Sequence, residues 1–412
     1  MNASLEAERA RWARVISGAA LGRRVSMLYG AIYLHYGVYG VFIPLWFQHK
    51  GMTAAQIGTL LALPTMLRIV FVAPVTAFAD RLRRVREVLA ACVAMTAALV
   101  LLLQRVDSYS SLLVFFTLFA VAWDPLPILA DGYASAAVRA RNLDFGRMRL
   151  WGTIALVSAS MACGQLLDRT GVQLVPILTC LLLLIPLFVI PSLPPDRLFG
   201  ESTRAAPGEW RSIVRDRPAM VVLVGVALLF GSNAMLLGFG AIQWSAKGVS
   251  NGNIGLLYAV ASVSEVVVFV VAQKLLGHRS EVWLLVIGAA ATILRWLGMA
   301  ADPGLGWLLA IALLQGPAGT TVIAGSILYM ARRFPTHLVA TANGVNAVMV
   351  GVASSAVTFA AGYLWGAYKA LAYLPMAGLS LVALLVFVVA ARRPSASPRV
   401  DGTTDIPLAP GS

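Results

Sequence analysis

Apolar runs of about 20 residues recur along the whole chain, and that recurrence decides the solvent in which it folds. Twelve can be counted, at about 26–47, 55–78, 87–104, 110–131, 147–167, 172–192, 219–243, 253–275, 282–301, 305–330, 338–364 and 369–391. Each is long enough to cross a hydrocarbon core roughly 30 Å thick. Lipid offers the backbone no hydrogen-bond partner, so only α-helices supply this many crossings of this length. Charged residues make up 12% of the chain, against about 25% in an ordinary soluble domain. The fold class expected is an all-α integral membrane protein with twelve transmembrane helices.

Basic residues orient the spans. With the N-terminus inside, 25 of the 32 Lys and Arg fall in one set of segments: 1–25, the loops near 79–86, 132–149, 193–218, 274–281 and 331–337, and the tail from 392. The opposite loops hold five, Lys50, Arg105, Arg169, Lys247 and Lys369, and two more, Arg68 and Arg295, lie within spans. This positive-inside pattern predicts a multi-pass protein of the cytoplasmic (inner) membrane with both termini in the cytoplasm. It also explains the net charge of +14 without nucleic acid, for which a soluble basic face would be needed. The polar, basic N-terminus and the long first apolar run do not read as a cleavable signal. Cys92, Cys163 and Cys180 all sit in spans, without disulfide or metal-site spacing, and read as small packing residues.

The longest loop, 193–218, divides the spans six and six, and an internal repeat follows at an offset of 197. "KGMTAAQIGTLLALPTMLR" from Lys50 aligns with "KGVSNGNIGLLYAVASVSE" from Lys247: Lys-Gly, Thr53 with Ser250, and Ile-Gly coincide without a gap. Both halves start inside and have six spans, so they are parallel repeats, the arrangement of the major facilitator halves. The organisation expected is a cytoplasmic N-terminal segment (1–25), a six-helix bundle (26–192), a cytoplasmic central loop (193–218), a second bundle (219–391) and a disordered cytoplasmic tail (392–412).

Under the repeat, Glu265 of span 8 falls on Arg68 of span 2. Both lie about ten residues from the cytoplasmic end, roughly 15 Å deep. A charge facing lipid there costs at least ~2.5–3.5 kcal/mol, so both should face the bundle interior or a watered cavity. Arg295, in "GAAATILRWLGMA" of span 9, differs from Glu265 in depth by only about 6 Å, within reach of a long side chain. The pair could simply fix span 8 against span 9. Intramembrane ionisable residues more often mark a pathway, and a carboxylate drawn one way by burial and the other by Arg295 can exchange a proton.

Span 4, "VAWDPLPILADGYASA", carries Asp124 and Asp131 on much the same helical face, with Pro125 and Pro127 loosening the helix between them. Asp124 is deep enough to be a second proton site. Asp131 lies near the cytoplasmic end, where an ion pair with Arg149 of "DFGRMRLWGTIAL" would make a latch, with Arg147 beside it. In "IYLHYGVYG" of span 1, His35 is either a packed residue or a substrate contact, and Tyr36, with Tyr33 and Tyr39, is a candidate cavity lining.

The loop "AFADRLRRVREV" resembles the signature of the major facilitator superfamily, with Asp80, Arg81 and Arg84 in place and Thr76 and Arg83 where the signature has glycines. In that family the motif latches the cytoplasmic span ends. A wider resemblance rests on "YGVYGVFIPLW", "IGTLLALPTMLRIVFVAP", "DFGRMRLWGTIAL", "GFGAIQWSAKG", "SEVVVFVVAQKL" and "LRWLGM". Together they look like the phenylpropionate permease branch, related more distantly to lactose permease. The resemblance implies proton-coupled uptake of a small organic solute, with Glu265 as the span-8 acid and Arg295 as the span-9 arginine. Span 10, "LLAIALLQGPAGTTVIAGSILYMA", departs from the lactose permease group in having no ionisable residue; Gln315 is the nearest polar stand-in, and Glu265 would act more nearly alone.

The function expected is secondary active transport: proton-coupled uptake of a small organic acid, aromatic by preference, by alternating access. Arg68 or Arg295 would meet the carboxylate, with His35, Tyr36 and Gln315 lining the site and Glu265 and Asp124 carrying protons. A sugar or nucleoside symporter is the alternative, efflux a third, and a non-transporting assembly or sensor protein the reading from another class. An enzyme is not expected, for no nucleophile–base pair or metal-ligand cluster is visible. No metal, no cofactor and no obligatory protein partner is called for; the partners are the solute, protons and the lipid bilayer.

Overall fold

The computed structural model describes residues 17–82, 84–195, 209–275 and 281–392. They are helical almost throughout, with no strand among the described residues. Spans 1 to 3 are Gly18–His49, Ala54–Leu82 and Val85–Leu103. Span 4 is two helices, Tyr109–Trp123 and Pro125–Arg141, and spans 5 and 6 are built on Phe145–Thr170 and Val175–Val189. Span 7 is broken into Arg217–Ser232 and Ala234–Ala246; spans 8 and 9 are Asn251–Leu275 and Glu281–Ala300. Span 10 consists of Leu305–Leu313, a π-turn at Gly316–Thr320, and Thr321–Arg333; spans 11 and 12 are Thr336–Tyr368 and Tyr373–Arg392.

By length and hydropathy alone the crossings number eleven, because His337–Arg392 runs 56 residues without a polar break. At 1.5 Å per residue that is about 84 Å, far more than one bilayer. The break is conformational: Lys369 takes a positive φ of 51° and a short 3-10 turn, Lys369–Ala372, reverses the chain. Twelve crossings result, as the apolar runs predict.

The 197-residue repeat has a direct structural meaning. Gly51 and Gly248 both have left-handed φ, 79° and 78°, which glycine adopts without strain. Each closes the preceding span in the same way. Met52 N–H reaches Phe47 C=O at 3.1 Å and Val249 N–H reaches Trp244 C=O at 3.0 Å, a Schellman closure. Two residues after each glycine, Thr53 Oγ1 accepts from Gln56 N–H at 3.3 Å and Ser250 Oγ from Asn253 N–H at 3.2 Å, so both caps open the next span. The lysines before the glycines are tied within their own halves, Lys50 to Asp107 at 2.5 Å and Lys247 to Asp302 at 3.0 Å.

Ion pairs also mark the opposite, basic face. Arg333 grips Asp216 with Nε and Nη2 at 2.9 and 3.1 Å, joining the end of span 10 to the start of span 7, and Arg332 pairs with Glu281. Arg24 donates to Ser192 C=O and Arg86 to Leu193 C=O. These two cations sit on carbonyls at the C-terminal end of span 6, where the helix dipole favours positive charge.

The halves meet at two crossings. Span 2 crosses span 11 at Gly58, where a Cβ would come within 2.8 Å of Gly362 Cα, and Ser355 Oγ donates to Ala62 C=O at 2.9 Å. Span 5 crosses span 8 at Gly255, whose missing side chain lets it lie against Ser160. Gly58 and Gly255 are the glycines of the repeated Ile-Gly pair; small residues let helix backbones approach in lipid. Below Gly255, Asp168 of span 5 accepts from the N–H groups of Asn251 and Gly252 at 2.6 and 2.9 Å, a carboxylate on the N-terminus of a helix from the other half. Among the described residues, every hydrogen bond between the halves lies in the part of the molecule remote from the basic face. The halves are joined on that remote side; toward the basic face no hydrogen bond or ion pair among the described residues links them.

A larger residue at either glycine should therefore open the closed side. With the native cysteines replaced and Ser160→Cys as reporter, Gly58→Leu is expected to raise labelling by an impermeant maleimide from the remote face by about tenfold, the equilibrium factor for the lower range of overpacking costs. Unchanged labelling would show that the crossing yields elsewhere.

Candidate substrate and coupling site

The mid-span polar and charged residues of spans 1, 2, 4, 8 and 10 are the candidates for a site between the halves. Arg68, halfway along span 2, is exposed and makes no hydrogen bond or ion pair with any described residue. Tyr36 of span 1 is half-buried and stacked on Trp123, ring centroids 6.2 Å apart and planes 18° off parallel. Its hydroxyl lies within electrostatic reach of Arg68, Asp124 and Glu265. Asp124 stands at the break of span 4, its N–H closing the first helix on Ala120 C=O at 2.8 Å. Pro125 and Pro127 supply no N–H there, and Asp124 lies within electrostatic range of Arg68 without an ion pair to it.

Glu265 is half-buried, and its Oε1 accepts from Gln315 Nε2 at 2.6 Å. The two approach so closely because the residue beside them, Gly319, has no side chain: a Cβ there would meet Glu265 Oε1 at 3.1 Å and Gln315 Nε2 at 3.2 Å. Thr320 Oγ1 adds a 3.2 Å bond to the backbone carbonyl of Glu265. No hydrogen bond or ion pair joins Glu265 to Arg295, the partner expected from depth, although the two lie within electrostatic range of each other. Arg295 is 3% exposed; it donates Nη1 to Asn233 Oδ1 at 3.0 Å and lies 4.9 Å over the Trp296 ring. Equal depth does not give facing azimuth, and the π-turn of span 10 brings Gln315 to the acid first.

Two further candidate residues have partners of their own. His35 is 0% exposed, bonded through Nδ1 to Ile32 C=O at 2.7 Å and edge-on to Trp123 at 3.8 Å. In this conformation it meets no solute. Gln315, the polar stand-in of span 10, is bonded to Glu265. Asn233, at the break of span 7, was not singled out by the sequence; at the 197-residue offset it occupies the position of Tyr36, which is the signal that marks it.

Toward the basic face Asp131 and Arg149 do meet. Arg149 Nη1 donates to both carboxylate oxygens at 2.6 and 2.7 Å, and Tyr29 of span 1 donates to Oδ1 at 2.7 Å. One carboxylate thus ties spans 1, 4 and 5 within the first half. Arg147 is not part of it: it lies on the surface, 3.3 Å from Asp144, which caps span 5. Arg81 and Arg84 are exposed. The side chain of Asp80 and residue Arg83 lie outside the described residues, as do 196–208 of the central loop and the tail from 393.

Residues 25–374 match the MFS_1 like family. The chain belongs to that family. It is a transporter of the major facilitator superfamily, and its relatives are transporters, not enzymes. It is 27% identical over 349 residues to the probable 3-phenylpropionic acid transporter of Escherichia coli (strain K12), covering 83% of this chain and 91% of that one. It is also 27% identical to the maltose permease of Geobacillus stearothermophilus over 386 residues, 91% of this chain and 96% of that one. Among solved structures, the nucleoside transporter NupG superposes with a TM-score of 0.81 at 16% identity, over 90% of this chain and 99% of its own. A bacterial homolog of the human lysosomal transporter Spinster, in an inward-facing, unoccupied conformation, superposes at 0.73 and 14% identity, over 91% and 97%. These superpositions speak for the fold.

The Asp131–Arg149 pair is testable apart from substrate. In a double-mutant cycle of thermal stability, Asp131→Asn and Arg149→Gln are expected to couple by about 1 kcal/mol, the upper range for a half-exposed ion pair. Additive losses would show that the contact carries no energy.

Proposed function

We propose that this transporter takes up a small organic acid, aromatic by preference, together with protons, by alternating access. The observation that carries the substrate class is Arg68. It is a mid-span cation that no described residue bonds, beside an aromatic stack of Tyr36 and Trp123. An anion bound there gains a charge-assisted hydrogen bond in a site of low dielectric, and the stack offers an aromatic ring a flat face. Glu265 is the proton site in this reading and Asp124 a second acid on the route. Taking the basic face as cytoplasmic, the protein lies in the cytoplasmic membrane with both termini inside, and the conformation described is the inward-open one. The two bundles, 26–192 and 219–391, rock about the Gly58 and Gly255 crossings. The Asp131–Arg149 pair serves as a latch of the first half near the cytoplasmic ends.

A neutral sugar is the second reading. It is favoured by the likeness to a maltose permease, which has the same identity as the phenylpropionic acid transporter and covers more of the chain.

The two readings separate in a thermal-shift titration of purified protein with 3-phenylpropionate, its amide and maltose, since a ligand stabilises by RT ln(1 + [L]/Kd). The carboxylate is expected to stabilise most. Arg68→Ala should weaken binding of the carboxylate about 10- to 100-fold, the size of a charge-assisted bond, while leaving the amide within about twofold. Stabilisation by maltose alone would establish the sugar reading, and equal losses for acid and amide would make Arg68 structural.

A further inference from the structure

Span 10 contains a chemical exchange that bears on how Glu265 is held. Pro317 has no N–H, so the carbonyl four residues earlier, Leu313 C=O, is left without its helical donor. At membrane depth such a group must be satisfied by protein. Ser264 Oγ, from span 8, donates to it at 2.5 Å. The same oxygen accepts from Gly316 N–H at 3.2 Å, so one hydroxyl bridges a donor and an acceptor on either side of Gln315. Gly316 has room for this only because it lacks a Cβ, which would overlap Ser264. The π-turn Gly316–Thr320 follows at once, and such turns cluster at functional sites.

Ser264 is the residue before Glu265, and Gln315 the residue before Gly316. The hydroxyl bridge therefore fixes the backbone on both sides of the Gln315–Glu265 bond. The first half has neither part of the device. At the 197-residue offset Ser264 falls on Leu67, Pro317 on Ala120 and Glu265 on Arg68. At these repeat positions the hydroxyl and the proline occur together only in the half that carries Glu265.

We propose that Ser264 is a positioning residue: its hydroxyl replaces the N–H that Pro317 lacks, holds the π-turn of span 10, and so keeps Gln315 on the Glu265 carboxylate. Where this bears on coupling it rests on Glu265 being the proton site; the geometric claim does not.

The test separates the two. Carbodiimide labelling of Glu265, read by mass spectrometry of its peptide with Glu265→Gln as blank, reports how freely the carboxyl is presented. Ser264→Ala is expected to raise the labelling rate about fivefold, the factor one net hydrogen bond commonly supports. Ser264→Thr, which keeps the hydroxyl, should label like the wild type. Pro317→Ala restores the N–H, so Ser264→Ala in that background should add less than about twofold. Labelling of Ser264→Ala at the wild-type rate, or an equal effect with and without Pro317, would overturn the proposal whatever the transport result. Proton-driven accumulation by the same variants then reads the coupling claim. If labelling rises while accumulation stays intact, the positioning holds and Glu265 is not the coupling acid.

Discussion

A carboxylate in the middle of a membrane-spanning helix must be satisfied by protein, because hydrocarbon offers it no partner and charge there costs at least about 2.5–3.5 kcal/mol. Glu265 meets this demand with a neutral donor, Gln315, at 2.6 Å. An amide can bond the carboxylate and can also accept from the protonated acid after turning its oxygen toward it. A guanidinium cannot accept at all. The choice of Gln over Arg as direct partner therefore leaves both protonation states of Glu265 accommodated, while Arg295 bonds Asn233. Span 10 bends to make the contact, and span 8 supplies the hydroxyl that the bend requires.

The closed side of the molecule is organised by a short element used twice. A lysine tied within its half, a left-handed glycine, a Thr or Ser cap and an Ile-Gly crossing occur in the same order at the start of spans 2 and 8. Ile57 and Ile254 are both buried beside the crossing glycines. The two crossings are not equal: that of spans 5 and 8 adds Asp168 on the N-terminus of span 8, whereas that of spans 2 and 11 relies on glycine contact and the Ser355 bond.

What could be read from the residues was what depends on local chemistry or period. The twelve apolar runs give twelve crossings, and the repeat places matching turns and glycines in the two halves. Asp131 and Arg149, near one face on consecutive spans, pair as their positions imply. What could not be read depends on azimuth. Depth along two helices says nothing of which faces meet, so Glu265 was matched with Arg295 and not with Gln315. Of the readings open for His35, the packed one is what the structure shows: it lies edge-on to Trp123, inside its own half. The π-turn at Gly316–Thr320 was not read from the sequence; it follows only once Ser264 is seen against Leu313 and Gly316. Asn233 was marked only by its place opposite Tyr36 in the repeat, and its partner lies 62 residues away.

The central claim is that Glu265 carries the transported proton, and the substitution Glu265→Gln tests it most directly, since it keeps the size and removes the titration. In proteoliposomes loaded with 3-phenylpropionate, or with whichever ligand stabilises the purified protein, two rates are compared: accumulation driven by a pH gradient and exchange of internal for external solute. Exchange needs no net release of a proton. The account predicts that Glu265→Gln abolishes accumulation and leaves exchange within about threefold, a change of less than 1 kcal/mol in the barrier. A variant that still concentrates solute against its gradient would contradict it and direct attention to Asp124.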